Sequence, residues 1–254
     1  MTTITAADVK ALRERTGAGM LESKNALEAS NGDIDGAIDY LRKKGLKQAA
    51  KKADRATHEG AVAISGRGIV GVACETDFVG RNEQFIAFVT ALAAKADTEG
   101  AGSVAPYFES VKGDKVLEMG ENMQLISAAR LEGGSTVAGY VHTNGKVAAL
   151  VALSGGTQEH ARDLAMHVVA MNPLVANPED VSAELIAKEK EIWAEQLKNE
   201  GKPEHIIAGI LQGKEQKFAA EQALSCQKFV KDPSLTVQEY LGDAALVSFI
   251  RVAV

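Results

Sequence analysis

Two β-hairpin patterns, about 76 residues apart (Ala61 to Val137), constrain the fold of this chain more than any other feature of its sequence. In each pattern, two runs of alternating apolar residues flank a turn that contains Gly or Asn-Gly, the residues that tight hairpins require. A helical pattern and then a third strand pattern follow each hairpin. The two copies comprise hairpins at residues 60–75 and 135–153, helices at 82–96 and 158–171, and third strands that begin at Leu117 and Tyr240. The sequence therefore predicts an α+β fold with two repeated β-β-α-β core subdomains.

The spacing between the third strands indicates that the second copy is longer than the first. The glycines that these strands share, Gly120 and Gly242, are 122 residues apart, whereas the hairpins repeat after about 76 residues. The second copy therefore contains about 46 additional residues, within residues 182–228. Apolar residues at helical spacing on both sides of a Gly-Lys-Pro turn at residues 201–203 predict two antiparallel helices there. Such a helical hairpin is suited to binding a partner protein or to self-association.

The first 45 residues have helical rather than alternating periodicity. Glycines interrupt the apolar pattern at Gly17 and Gly32, and the pattern ends at Gly45, which predicts three short helices. Helices of this total length enclose only a marginal core, so we expect the module to depend on its neighbours or on a partner. The predicted domains are a three-helix module at 1–45, a basic linker at 46–59, a core N-subdomain at 60–134, a core C-subdomain formed by 135–181 and 229–254, and a helical hairpin insertion at 182–228.

Composition and charge argue against several classes of function. Seven Lys and Arg lie between residues 42 and 55 of a chain whose formal net charge is −6, but no aromatic residue lies among them to stack on bases. This run therefore predicts a solvated helix rather than a nucleic-acid surface. The longest apolar run, residues 147–153, is far shorter than the roughly 20 residues of a membrane helix, and the N-terminus lacks a signal-peptide pattern. We expect a cytoplasmic protein without membrane contact.

No pattern in the sequence predicts an enzyme. Gly66-Arg-Gly-Ile-Val-Gly71 matches the dinucleotide fingerprint in letters, but that fingerprint opens a helix, whereas these glycines lie in a hairpin turn that leads into a strand. His160 and His167 are two turns apart on one predicted helix, too far to share a metal ion. The two cysteines lack neighbours at metal-ligand spacing, and no Ser/His/Asp or Cys/His set has a local signature. We predict neither a cofactor nor a bound metal.

The end of the first hairpin has unusual residues for a simple connection. Asp77 and Phe78 follow its second strand directly, whereas the second copy has Leu153-Ser-Gly-Gly156 at the same place, as an ordinary turn would. Two interpretations are open. Asp77 caps a helical turn that Phe78 fixes to the core, or the carboxylate and the aromatic ring are presented together to a partner protein.

Six collinear motifs resemble the bacterial elongation factor Ts family over nearly the whole chain. They are Leu12-Arg-Glu-Arg-Thr-Gly-Ala-Gly-Met20, Asn31-Gly-Asp33, Cys74 to Val79, Ala165-Met-His-Val168, Pro178-Glu-Asp-Val-Ser182 and Phe229-Val-Lys-Asp-Pro233. The resemblance implies an N-terminal module similar to a ubiquitin-associated (UBA) domain, a two-part α+β body, and a helical hairpin that extends from the second part. It also implies guanine-nucleotide exchange on elongation factor Tu during translation elongation.

The resemblance further implies which residues contact elongation factor Tu, in its GDP-bound and nucleotide-free forms. The segment Thr76, Asp77, Phe78 and Val79 would meet its GTPase domain, where Phe78 wedges between two helices near the Mg²⁺ site and Asp77 helps to hold the disturbed geometry. Mg²⁺ would then be lost and GDP released. Other contacts carried over from the family are Arg13, Met20 and Leu21 on the GTPase domain, and His142, Phe229 and Val230 on the other domains of the partner.

Two other functions are compatible with parts of the sequence. A protein-binding adaptor would act through the three-helix module alone, with the core as a scaffold. A small-molecule enzyme would use the glycine-rich turn. The exchange factor differs from both because it needs the exit of the first hairpin.

Overall fold

A computed structural model describes residues 4–254, apart from the side chain of His205. Residues 1–3, which begin the predicted three-helix module, lie outside the described part. The chain forms two compact units. The first contains the residues up to Arg130 together with 143–147 and 252–254, and the second contains Leu131–His142 and Ala148–Arg251. Helices and small antiparallel sheets occur together, which confirms the predicted α+β class.

Three helices open the first unit. They are α1 (Ala6–Thr16), α2 (Met20–Ala29) and α3 (Ile34–Lys52). The side chain of Thr5 accepts a hydrogen bond from the backbone of Asp8 and caps α1, as expected of Thr at this position. Leu12, Leu27 and Leu41 form the buried centre of the module. The predicted end of the third helix at Gly45 is wrong, because α3 continues to Lys52 and includes the first half of the predicted basic linker.

A three-stranded sheet and three helices follow in the first unit. They are β1 (Glu59–Ser65), β2 (Gly68–Cys74), α4 (Asp77–Gly80), α5 (Glu83–Glu99), α6 (Val104–Met119) and β3 (Met123–Arg130). The strands are antiparallel in the order β1-β2-β3. Val70, Val72 and Cys74 of β2 pack in one cluster with Phe85 of α5 and Phe108 of α6. The helices therefore cover one face of the sheet, and β2 is buried along its whole length.

Gly45 lies inside α3 because a second helix packs closely there. A Cβ atom on Gly45 would stand 2.5 Å from the carbonyl oxygen of Gly113 in α6, so the two backbones approach at a pair of glycines. The sequence alone shows Gly45 as a helix-ending residue, since glycine is common at that position. The contact with α6 explains why this glycine does not end the helix.

The second unit contains the other sheet and the inserted helices. Its elements are β4 (Thr136–Val141), β5 (Val147–Ser154), α7 (Gln158–Met171), α8 (Ala183–Asn199), α9 (Glu204–Gln222), β6 (Lys228–Phe229), β7 (Asp232–Thr236), α10 (Val237–Leu241) and β8 (Ala245–Ala253), with the ends of β5 and β8 assigned to the first unit. The main sheet has the order β4-β5-β8. In the helical hairpin, α8 packs on α9 through the rings of Trp193 and Phe218, 5.6 Å apart, and through the ion pair of Lys190 and Glu215 at 2.7 Å.

The third strand of each copy begins later than the sequence predicts. The pattern placed these strands from Leu117 and Tyr240, but both residues belong to helices, α6 and α10. Gly120 and Gly242 each follow a helix end with positive φ values of 78° and 58°, so they end helices instead of lying in strands. The spacing of 122 residues still holds, because β3 and β8 begin at Met123 and Ala245.

Helix α6 is absent from the sequence-based prediction. Its third residue is Pro106 and its interior contains Gly113, two residues that normally argue against a helix. Proline is nevertheless tolerated in the first turn, where its missing N–H has no partner to lose. In residues 4–254, no helix is long and apolar enough to cross a membrane.

Candidate functional site

The segment that leaves β2 forms a short exposed turn, which we call the tip (Thr76–Val79). Strand pairing ends at Cys74, opposite Met123. The next residues form the single turn α4, and the backbone N–H of Gly80 donates to the carbonyl of Thr76 at 3.1 Å. Val79 is buried in the core of the first unit, whereas the side chain of Phe78 is 84% exposed.

These positions decide between the two interpretations of the exit. Phe78 does not fix the turn to the core, because Val79 occupies the core position. Asp77 does not cap the turn either: it is the first residue of α4, and the N-cap position belongs to Thr76, whose side chain makes no capping hydrogen bond. Its carboxylate instead forms an ion pair with Arg81 one turn later, at 3.4 Å. The helix-cap interpretation is therefore wrong, and the tip presents an aromatic ring and a partly exposed carboxylate to solvent.

Polar contacts hold the backbone at the start of the tip. The amide groups of Glu75 and Thr76 each donate to Oε2 of Glu121 at 3.0 Å, and the Thr76 hydroxyl donates to Oε1. The Cys74 thiol donates to the carbonyl of Thr76 at 3.2 Å. Burial, together with the nearby carboxylates of Glu121 and Glu59, raises the pKa of the Cys74 thiol to about 12, so it stays protonated and keeps this role. Sequence reasoning missed Glu121, because a glutamate after a glycine carries no pattern.

The equivalent exit in the second copy is an ordinary turn. Gly155 and Gly156 have φ values of 79° and 73°, a conformation that glycine adopts without steric cost. Thr157 then caps α7 by accepting from the backbone of His160 at 3.1 Å, as the sequence predicts. Only the first of these two exits thus presents an exposed aromatic residue.

Comparison with known proteins identifies the family of the chain. A family model described as Elongation factor TS matches residues 75–254. The protein named Elongation factor Ts in Teredinibacter turnerae is 44% identical over 99% of this chain and 90% of its own length. The proteins of the same name in Idiomarina loihiensis and Deinococcus deserti are 41% and 42% identical, covering 99% and 96% of this chain and 91% and 97% of their own lengths.

The chain belongs to the elongation factor Ts family. Membership of this family gives it a role as a translation elongation factor. The tip lies at the start of the segment that the elongation factor Ts model matches, and the three-helix module precedes that segment.

The three residues expected to bind a partner in the N-terminal module lie around the connection between α1 and α2. Arg13 is exposed on α1, and the side chains of Met20 and Leu21 at the start of α2 are 60% and 69% exposed. Met20 and Leu21 line an open apolar groove of about 430 Å³ with Ile4 and Val9. Their contact with a partner stays a prediction.

The residues expected to bind a partner in the second unit differ in exposure. His142, directly after β4, is exposed, and its ring meets Tyr140 edge-on at 6.5 Å. Val230 is 41% exposed in the turn between β6 and β7. Phe229 is only 2% exposed and stacks on Tyr240, with 4.0 Å between the ring centroids. The expectation that Phe229 faces outward is wrong in this structure, because its ring is buried in the second unit and only its neighbour Val230 is exposed.

A buried polar cluster in the second unit holds the turn that carries Val230. The backbone of Val230 donates to Nδ1 of His167 at 3.1 Å, so Nε2 carries the proton and donates to Gln227 at 3.0 Å. Burial lowers the pKa of His167 below its ordinary value of 6.5, which keeps the ring neutral. Next to it, Asp163 accepts from Lys231 at 2.6 Å and from the Tyr240 hydroxyl at 2.9 Å. His167 is fully buried and packed, in agreement with its exclusion as a metal ligand in the sequence analysis.

The glycine-rich turn of the first hairpin has the geometry of a hairpin, not of a nucleotide site. Gly66 and Arg67 connect β1 to β2, and Gly68 begins β2. No helix opens there, so the arrangement lacks the helix N-terminus on which a pyrophosphate would rest. Among residues 4–254, no group of three or more His, Cys, Asp or Glu side chains is arranged to hold a metal ion.

Proposed function

We propose that the chain is a guanine-nucleotide exchange factor for elongation factor Tu in the cytoplasm. It binds the GDP-bound partner and inserts the tip near the Mg²⁺ site of the GTPase domain. Phe78 wedges between two helices and Asp77 helps to hold the disturbed geometry, so that Mg²⁺ is displaced and GDP leaves. Arg13, Met20 and Leu21 contact the same domain, and His142 and Val230 contact the other domains.

The exposure of Phe78 is the observation that carries this proposal. The side chain of Phe78 is 84% exposed, so contact of its ring with water is unfavourable and the ring does not stabilise the core of its own chain. It lies on a short turn whose next residue, Val79, is buried, so the ring projects from a supported base. This arrangement is suited to insertion into a second protein.

The energetics set a limit on what the tip supplies. Burying one Phe side chain is worth about 1.5–3 kcal/mol, which corresponds to about a tenfold to a hundredfold change in an equilibrium constant. Wider contacts must supply the rest of the binding free energy. Coupling between two binding sites is reciprocal. An exchange factor that weakens the binding of GDP to the partner is therefore itself bound less tightly when GDP is present, so rebinding of nucleotide releases the exchange factor.

Release of labelled GDP from elongation factor Tu tests the proposal. The parent chain should accelerate release in proportion to its concentration, and Phe78→Ala should lower this acceleration by about tenfold to a hundredfold. Asp77→Asn should lower it too, by a smaller factor, because that carboxylate is already paired with Arg81. Leu46→Ala is the matched control, since Leu46 is a 59% exposed apolar residue of α3 that the proposal does not use. Equal acceleration by the parent chain and by Phe78→Ala would refute the wedge.

The apolar groove between α1 and α2 favours the adaptor as a second function. In that case Met20→Ala and Leu21→Ala would abolish partner capture, and Phe78→Ala would leave both capture and every activity intact. Exchange and adaptor functions are therefore separated by one set of variants in the full chain.

The helical hairpin is the segment we propose for self-association. Ile192 of α8 and Ile206 of α9 are 50% and 39% exposed, so the hairpin keeps apolar surface outside its own contact. Sedimentation at several concentrations tests this, with Ile192→Glu as the variant expected to remain monomeric.

A further inference from the structure

One carboxylate binds the backbone donors that follow β2. Since strand pairing ends at Cys74 and Met123, the amide groups of Glu75 and Thr76 have no strand partner. Both donate to Oε2 of Glu121 at 3.0 Å, and the Thr76 hydroxyl donates to Oε1. Glu121 stands two residues before Met123 on the neighbouring strand. Its side chain thus continues the hydrogen-bond ladder where backbone carbonyls no longer reach.

Asn122, the next residue, fixes Glu121 in place. The side chain of Asn122 is fully buried, and its Nδ2 donates to the carbonyls of Ala53 at 3.2 Å and Arg55 at 2.9 Å. Its backbone N–H donates to Oε1 of Glu75 at 2.6 Å. A residue held at three points leaves the neighbouring Glu121 little freedom to move. We call Glu121 and Asn122 the clasp.

We infer that Glu121 is a positioning residue for the tip. The Phe78 side chain is too exposed to set its own direction, so the backbone at Thr76 on one side and the buried Val79 on the other set it. A turn without this support would sample several conformations and would lose that freedom on binding, which weakens association. The inference rests on the proposed function, in which the tip enters the partner. Glu121 itself need not touch the partner.

Glu121→Gln tests the clasp with little change in size. The carbonyl oxygen of Gln can still accept from the amide groups of Glu75 and Thr76, and its NH₂ group can donate to the Thr76 hydroxyl, but these hydrogen bonds lose the charge of the carboxylate and with it about half of their strength. We expect the amide protons of Glu75 and Thr76 to exchange with deuterium at least about tenfold faster, and the acceleration of GDP release to fall by about tenfold. Glu109→Gln, on an exposed position of α6, is the control that should change neither.

A double-variant cycle separates positioning from general destabilisation. Because Glu121 acts through the tip, adding Glu121→Gln to Phe78→Ala should slow GDP release little beyond Phe78→Ala alone. Independent losses that multiply would contradict a positioning role. Glu121→Asp serves where Glu121→Gln folds poorly, since it keeps the charge but withdraws the carboxylate by one methylene group. It should give the same changes to a smaller degree.

The outcomes distinguish this inference from the proposed function. Protected amides at Glu75 and Thr76 in both Glu121 variants would overturn the clasp. Faster amide exchange with unchanged GDP release would overturn the positioning role and leave the proposed function standing. A parent chain that does not accelerate GDP release would overturn the proposed function and with it the role of Glu121 there, whereas the amide data would still report the clasp.

Discussion

At the scale of single residues, the two units use polar side chains, half-buried in the first unit and buried in the second, to hold exposed apolar ones. In the first unit, Glu121 holds the backbone below Phe78. In the second unit, His167 accepts from the backbone of Val230, which is exposed next to the buried ring of Phe229. Neither polar residue was recognisable as a support from the sequence, because the contact depends on residues more than 40 positions away. A sequence motif can identify the exposed residue, but the polar residue that holds its backbone can be identified only from the folded structure.

The neutral state of His167 makes stability depend on pH. Its pKa is lowered by burial in the folded state, so the unfolded chain binds a proton more readily as pH falls through the ordinary value of 6.5. The free energy of unfolding should therefore decrease between about pH 7.5 and about pH 5.5. His167→Asn should be less stable at neutral pH, by about 1–3 kcal/mol, but should lose less stability over the same interval. Urea unfolding at each pH measures both curves, and parallel curves would show that His167 contributes nothing to the pH dependence.

At the scale of elements, the contact between α3 and α6 shows how packing changes the meaning of a glycine. Gly45 and Gly113 allow the two helix backbones to approach, and the Cβ of any larger residue at position 45 would meet the Gly113 carbonyl at 2.5 Å. Glycine weakens each helix taken alone, by about 1 kcal/mol relative to alanine. The close approach of α6 offsets that loss.

Replacing Gly45 by alanine tests this contact. Alanine favours the helix by about 1 kcal/mol, but the collision with a backbone carbonyl should cost about 2–3 kcal/mol, for a net loss of about 1–2 kcal/mol. Gly213→Ala in α9 is the matched control, because among the described residues a Cβ atom there would meet nothing within 4 Å apart from its chain neighbours and the backbone of its own helix. That variant should gain up to about 1 kcal/mol from helix propensity alone. Urea unfolding of the two variants should thus shift in opposite directions, and a gain in both would mean that α6 does not constrain Gly45.

The elements that the sequence predicted well are those in which local pattern and packing agree. The bounds of α7, residues 158–171, were predicted without error, because Thr157 caps it and its apolar residues recur on one face. The turn at residues 201–203 likewise separates two periodic helices. The predicted element bounds were wrong where a glycine is compatible with more than one structure: Gly45 lies inside a helix instead of ending it, and Gly120 follows a helix instead of lying in a strand. Only tertiary contacts or backbone φ distinguish these structures.

At the scale of the whole molecule, the first unit is completed by residues from the second copy of the repeat. The backbone N–H of Val62 in β1 donates to the carbonyl of Gly145 at 2.8 Å, and Val254 donates to Lys146 at 3.0 Å. Val252 is 3% exposed and lies against Gly71 of β2, where a Cβ atom would stand 2.7 Å from its Cγ1. Strands β5 and β8 therefore each run from one unit into the other.

A substitution near the end of β8 should therefore weaken the first unit. Val252→Ala removes buried methyl groups next to β2 and should cost about 2 kcal/mol. It should also accelerate deuterium exchange at the Val62 amide, since the residues that complete the unit are then held less tightly. Val247→Ala, in the same strand but 42% exposed, is the control and should leave Val62 protected.

The comparison of these two variants decides whether the copies are independent. If each copy of the repeat were a separate folding unit, Val252→Ala would expose amides of the second sheet and leave Val62 unchanged. Faster exchange at Val62, with unchanged exchange in the second sheet, would mean that β8 stabilises the first unit although the two sheets do not unfold together. Because the chain passes between units within β5 and within β8, we expect faster exchange in both sheets, by similar factors, at the cost in stability given above.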